Sequence, residues 1–133
     1  EKAPKNGLWA WNFLTEQSIG FIDDLKKMEN WEVKSKEGIA LKPTGANVLG
    51  IILANDKTLG YRDLDPASLI RAHTIAREGL EPAENRSRLV HAIAYAWQIG
   101  LNDEAESQAE QLAETDEQFR SDWKRVIVGL SEE

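Results

Sequence analysis

The chain has 133 residues, 41% of them hydrophobic and 29% charged, which is the size and balance of one globular domain with a core of its own. A formal net charge of −7 repels phosphate backbones and anionic lipid, so nucleic acid is not an expected partner. The absence of cysteine excludes a disulfide framework, a zinc ribbon and thiol catalysis, and the central apolar run Val48 to Ala54 is far shorter than the roughly 20 residues that span a bilayer.

Residues 1–7 are polar, with a proline and a glycine, and read as a loose tail. No basic-then-apolar leader opens the chain and Glu1 is not a methionine. The expectation is a soluble processed chain or a domain of a larger protein, cytoplasmic or exported. From Leu8 the sequence turns aromatic, with Trp9, Trp11 and Phe13 alternating with Ala10 and Asn12. Trp11, Leu14, Ser18, Phe21, Leu25 and Met28 share one helical face, which predicts a helix over about 15–29. Thr15 is its expected cap, Lys26 and Lys27 suit its negative end, and Asn30 is placed to end it in a left-handed conformation. On this reading Asp23 and Asp24 lie on the polar side of the helix.

Residues 31–43 change period. Trp31, Val33 and Ser35 alternate with Glu32 and Lys34. Lys36-Glu37-Gly38 reads as a turn, and Ile39 and Leu41 resume the alternation, which is a β-hairpin signal. Thr44 to Asn47 reads as a loop. Val48 to Ala54 suits a buried strand or the first helix of a hairpin, with strand favoured by its β-branched residues and Gly50.

Asp65-Pro66 opens a helical half, with Asp65 as cap and Pro66 in the first turn. Leu69, Ala72, His73, Ala76 and Leu80 form the first inner face, and Gly79 stops the helix. Pro82 begins a second, with Leu89, Ala92, Ile93, Ala96 and Ile99 inside and Gly100 at its end. Asn102 or Asp103 caps a third over Ala105, Ala109, Leu112 and Ala113. Thr115 and Gln118 form a capping-box pair for a fourth, whose apolar face is Phe119, Trp123, Val126, Ile127 and Leu130.

Gly100, Ala105, Ala109 and the pair Leu112-Ala113 resemble the second half of a tetratricopeptide repeat, with its glycine turn and small core residues. Ala72 and Ala76 precede Ala105 and Ala109 by 33 residues each, close to that family's repeat length. The resemblance covers roughly residues 66–130. In the preceding helix Leu89 and Ala92 fit the family's early positions, whereas Tyr95 and Trp97 are displaced. The resemblance implies stacked helical hairpins with a peptide-binding groove, closed by an aromatic last helix.

No motif for catalysis rises above background. No Gly-x-Ser-x-Gly surrounds a serine, and Gly45, Gly50 and Gly60 make no phosphate loop. His73 and His91 can face each other on neighbouring helices. With Glu78 or Glu84 they are a metal candidate, but satisfaction by backbone or carboxylate partners is the simpler reading, and no metal or cofactor is expected. Asp63 and Asp65, like Asp23 and Asp24, are read as surface or capping acids. Arg71, Arg77, Arg86 and Arg88 fall within 18 residues. They suggest a basic patch for a carboxylate or acidic peptide, or else a solvated face paired with Glu78, Glu81 and Glu84. Among the five tryptophans, Trp9, Trp11 and Trp31 cluster near the N-terminus, as an exposed platform or as a seal.

The expected fold is therefore α+β and predominantly α, a single domain. An N-terminal helix and a small β-hairpin or meander, residues 1–64, pack on a layer of antiparallel helical hairpins, residues 65–133. The expected function is that of a non-enzymatic protein- or peptide-binding module, a scaffold or adaptor, using the helical groove. Its candidate surface is Trp9, Trp11, Trp31, Arg71, Arg77, Arg86 and Arg88. The alternatives are a small-ligand or carbohydrate-binding domain centred on the N-terminal tryptophans, or an accessory domain of a larger enzyme.

Overall fold

A computed structural model describes residues 5–131. The fold is α+β and predominantly α, with five α-helices and two small antiparallel sheets among the described residues. These elements form two compact units. One joins residues 5–18 to residues 93–131, and the other is residues 19–92. Both divisions fall inside helices, not at the change of sequence character near residue 65.

Helix α1 is Lys5–Lys27 and begins ten residues earlier than its sequence stripe suggests. Residues 5–7, expected in a tail, form its first turn, while residues 1–4 lie outside the described residues. Ala10 and Leu14, four apart, are both buried. Their burial carries the apolar face toward the N-terminus and outweighs the cost of Gly7 in the helix. Thr15 therefore sits within α1 and does not cap it. The far end is as expected, with Lys26 and Lys27 in the last turn and Asn30 at φ 53°.

In the unit containing residues 93–131, α3 (Pro82–Gln98) contributes its last turns, followed by α4 (Asn102–Thr115) and α5 (Glu117–Ser131). Ala105 and Ala109 are fully buried, as are Phe119 and Val126. The indole of Trp123 stacks on Phe119 at 5.8 Å and meets Trp97 edge-on at 5.6 Å. The expected capping pair is displaced by one residue. Thr115 ends α4, and Asp116 caps α5 by accepting from the Phe119 N–H at 2.9 Å, while Gln118 donates to Asp122. Aspartate reaches back to that N–H with a shorter side chain and a full charge, which favours it at a helix N-terminus. Leu101 occupies the cap position of α4, and Asn102 turns back to donate to the Trp97 carbonyl at 3.1 Å.

In residues 19–92, β1 (Val33–Lys34) pairs with β2 (Ala40–Leu41) in the expected hairpin, with Gly38 at φ 88° in its turn. A second sheet is the meander β3 (Gly45–Asn47), β4 (Gly50–Ile52) and β5 (Thr58–Gly60). The stretch read as a loop is thus mostly strand, and the apolar run is split. Val48 and Leu49 are 73% and 74% exposed in a two-residue turn, and the strand starts at Gly50. Asn47 makes that turn. Its Oδ1 accepts from the N–H groups of Leu49 and Gly50, at 2.8 and 3.3 Å, and the Tyr61 hydroxyl donates to its carbonyl at 2.6 Å. An asparagine side chain that mimics a backbone acceptor specifies a turn whatever the hydrophobicity of the residues at its tip.

After a 3₁₀ turn at Tyr61–Asp63, Leu64 bridges back to Ser35, and the Asp65 N–H donates to the Lys34 carbonyl at 2.8 Å. Helix α2, Pro66–Ala76, then starts beside β1, with Pro66 in its first turn. Asp65 stands at the cap position with no side-chain cap bond. Ser68 supplies the local link, its hydroxyl accepting from the Lys34 N–H at 3.0 Å and donating to the Asp65 carbonyl at 2.8 Å.

Gly50 is where the meander is least tolerant. A Cβ there would lie 2.1 Å from the Leu59 carbonyl oxygen of β5, a backbone atom that cannot rotate away. We expect Gly50→Ala to destabilise the protein by about 2 kcal/mol or more, the scale of an overpacked site. Equilibrium urea denaturation checks this, and an unchanged midpoint would contradict it.

Candidate functional site

Two places in residues 19–92 gather polar chemistry. The first is built around Asp24. Helix α1 carries Phe21 and Leu25 into the core, Met28 follows just past its end, and Asp24 lies among them, only 3% exposed. This corrects its expected place on the polar side; Asp23 alone is exposed. His73 of α2 brings Nε2 to 2.9 Å from Asp24 Oδ2, and His91 of α3 brings Nδ1 to 2.8 Å from the same oxygen. Arg88 Nε stands 3.7 Å from Oδ1 and 2.8 Å from Glu84 Oε2.

The charge states follow from the environment. Burial alone raises the Asp24 pKa, but the hydrogen bonds and charges of His73 and His91 outweigh it and hold the carboxyl at about 2. An ionised carboxylate only accepts, so both imidazole nitrogens facing it carry protons and donate. Burial pushes the pKa of His73 down, opposed by its bond to Asp24 and the charge there, and aided by the charges of Arg77 and His91. Its ring stacks on Phe21 with centroids 4.5 Å apart, and its Nδ1 is buried with no hydrogen-bond partner.

His91 has a seat made for it. Gly20 lies in the middle of α1, where glycine is disfavoured. A Cβ there would stand 2.5 Å from His91 Nε2, 2.7 Å from Cδ2 and 2.8 Å from Cε1, so the imidazole occupies the space a side chain would fill.

The second place is a pair of clefts sharing one wall, residues Glu29 to Glu32. The first has a volume of about 360 Å³ and lies between residues 29–34 and the α2 face of Ser68, Arg71, Ala72, Ile75 and Ala76. The second, about 630 Å³, is bounded by the same wall with Met28, Lys42, Pro43 and Thr44. Trp31 stands in both, itself 7% exposed and with its indole N–H unpartnered.

The candidate residues read from the sequence are thus separated. Trp31 and Arg71 come together in the first cleft. Trp9 and Trp11 do not form a platform, because neighbours two apart on a helix are turned by about 200°. Trp11 is 58% exposed, whereas Trp9 stacks on Phe13 at 5.1 Å and is covered by the Arg125 guanidinium at 4.3 Å. The four arginines do not make one patch. Arg88 turns toward Asp24 and Glu84. Arg77 is half-buried with Nη1 donating to Asn85 at 3.3 Å, Arg86 is half-buried on α3, and Arg71 is exposed in the cleft. The two histidines do converge, but on Asp24 of α1, not on Glu78 or Glu84. Among the described residues no group of three or more histidines and carboxylates is placed to hold a metal ion. No helix among them is long and apolar enough to cross a membrane.

Comparison with known proteins finds no matching family model, no matching curated protein and no matching solved structure.

Two outcomes follow from the Asp24 cluster. Gly20→Ala, stabilising by about 1 kcal/mol on helix propensity alone, is expected instead to destabilise, because it evicts His91. In a His91→Ala background the same change should recover its stabilising sign. A double-mutant cycle by urea denaturation reads this coupling, and additive effects would refute it. The second outcome is a pH dependence. The folded-state pKa of Asp24 is depressed from 3.8 to about 2, so the unfolded chain holds more protons between those values. Its contribution, about 2 kcal/mol, is complete above the unfolded pKa and is lost as pH falls toward 2. Asp24→Asn should lower stability at neutral pH and flatten the profile below pH 4, measured by thermal melts across pH.

Proposed function

We propose that this chain is a non-enzymatic peptide-binding module of the scaffold or adaptor kind, and that its paired clefts take an extended, acidic segment of a partner protein. The observation that carries the reading is Arg71. It stands exposed on the wall of an apolar cleft lined by Trp31, Val33, Ala72 and Ile75, and makes no ion pair or hydrogen bond among the described residues. Lys34 in the same cleft and Lys42 in its neighbour likewise have no side-chain partner among those residues. A chain of net charge −7 that leaves three cations unpaired around one apolar cleft and its more polar neighbour is complementary to carboxylates flanked by apolar side chains. Glu29 and Glu32 on the shared wall limit this attraction and favour a segment of mixed charge over a polyanion. The volumes suit a few side chains, and Ile75, 59% exposed, offers an apolar contact at the cleft.

The tetratricopeptide-like reading of residues 66–130 is part of the same proposal. Buried Ala105 and Ala109 on α4, which packs against α5, supply the small side chains that closely packed helices need. The segment-binding site proposed is the face of α2 that meets residues 29–34.

Fluorescence anisotropy against an array of labelled acidic peptides tests the reading. Binding is expected for peptides that alternate carboxylates with apolar residues, and Arg71→Glu should weaken it by about tenfold or more, the scale of one charge-assisted hydrogen bond. Equal binding by the variant, or no binding across the array, would overturn the proposal.

A further inference from the structure

The helix that walls the first cleft is the one that carries His73. Ala72 and Ala76 face the cleft, while His73, 1% exposed, faces the core and donates from Nε2 to Asp24 Oδ2. The charged and titratable groups around it come from three helices. Asp24 is on α1, Arg77 one turn along α2, and His91 and Arg88 on α3, where Arg88 also approaches the Asp24 carboxylate. One carboxylate oxygen already serves both imidazoles.

A second proton on His73 has nowhere to go. It would sit on Nδ1, which is buried and faces no acceptor. It would also place a new cation near Arg77 and Arg88, where Asp24 already serves two imidazoles and Glu84 is already paired with Arg88. A buried unpaired N–H and an unhydrated charge both cost free energy, and both costs vanish if α2 moves out and the ring meets water. Moving α2 removes Ser68, Arg71, Ala72, Ile75 and Ala76 from the cleft together.

We propose that Asp24, His73 and His91 form a proton-operated latch, which holds α2 against α1 at neutral pH and releases it in mildly acidic solution, dismantling the cleft. The consequence for binding rests on the peptide reading above; the latch itself does not. The direction of the His73 titration agrees with the geometry. Its folded-state pKa lies below the usual imidazole value of 6.5, so the opened form binds more protons as pH falls past that value. For one proton, the opened population rises by up to about tenfold per pH unit below this point.

Hydrogen exchange of the intact chain, read by mass spectrometry between pH 7.5 and 5.0 and corrected for intrinsic exchange, tests the latch. Amides of residues 67–76 should open up to about fivefold more at pH 5.5 than at pH 6.5. His73→Gln keeps a donor toward Asp24 and cannot titrate, so its exchange should stay flat over this range. Unchanged opening in the wild type, or the same acid response in His73→Gln, overturns the latch. If that variant does not fold, an NMR titration of the wild-type imidazoles decides. A His73 that titrates near 6.5 while α2 stays protected overturns the proposal, and one that titrates only as α2 opens supports it. Anisotropy with an acidic peptide over the same pH range forms a second arm. Binding lost in step with α2 protection supports the coupling, and binding that survives α2 opening refutes it. A peptide that binds at no pH defeats the peptide reading alone, and exchange then still decides on the latch.

Discussion

A carboxylate taken out of water costs several kcal/mol unless its lone pairs are filled by donors, and the fold of residues 19–92 meets that demand at Asp24. Two imidazoles donate to one oxygen and a guanidinium stands near the other. The donors come from α2 and α3, so the requirement of one side chain on α1 fixes three helices against each other. The cluster is stabilising only as a set. Removal of any one donor leaves the remaining groups in a site that cannot hydrate them, which is why an apolar core of the same volume would be more forgiving. Around it, Phe21, Leu69 and Leu64 supply burial without direction, and the hydrogen bonds to Asp24 supply the register.

The same helix then acts on two sides. Toward the core α2 presents Leu69, Ile70 and His73, and toward the cleft it presents Arg71 and Ile75. These sets are interleaved along eleven residues, so no displacement of one leaves the other in place. Ser68 adds a third constraint by tying the first turn of α2 to the backbone of β1. The cleft therefore has a rigid floor as long as the Asp24 bonds hold, and a wall, residues 29–32, whose path depends on the left-handed Asn30.

Much of this could be read in the amino-acid sequence where burial has a period. Most of the stripes of α2 to α5 follow from spacing, although Leu80 and the exposed Ile99 lie past the ends of their helices, and the turns at Gly38, Gly79 and Gly100 follow from turn chemistry. The position of Asp24 was legible too, though by angle and not by polarity. At about 100° per residue it falls roughly 60° from Phe21 and 40° from Met28, inside the apolar stripe, whereas Asp23 lies opposite. Acidity disguised it. Gly20, next to it on the same side of the helix, was the accompanying signal, since an interior glycine in a helix asks what fills the missing side chain. What no pattern gave was the partner. His73 and His91 lie 49 and 67 residues beyond Asp24, and long-range pairing leaves no local trace. Local chemistry misled in the opposite sense at Val48 and Leu49, where an apolar run is cut by an asparagine side chain acting one residue earlier.

Sites where a fold departs from its local rules are where function is expected, because each departure costs stability that something else must offset. Some departures lie in the other unit, with Gly7 inside α1, Gly129 inside α5 and Leu101 at the cap of α4, but the buried unpartnered ones among the described residues do not. The interior Gly20, the left-handed Asn30 and Asp56, and the buried unpartnered atoms Trp31 Nε1, His73 Nδ1 and Arg77 Nε all belong to residues 19–92. Most of them touch either the Asp24 cluster or the cleft wall. In residues 93–131 aromatic stacking, buried alanines and the Asp116 cap agree with one another. The three buried unpartnered atoms thus lie at the two places where polar chemistry gathers, the Asp24 cluster and the clefts, and α2 borders both.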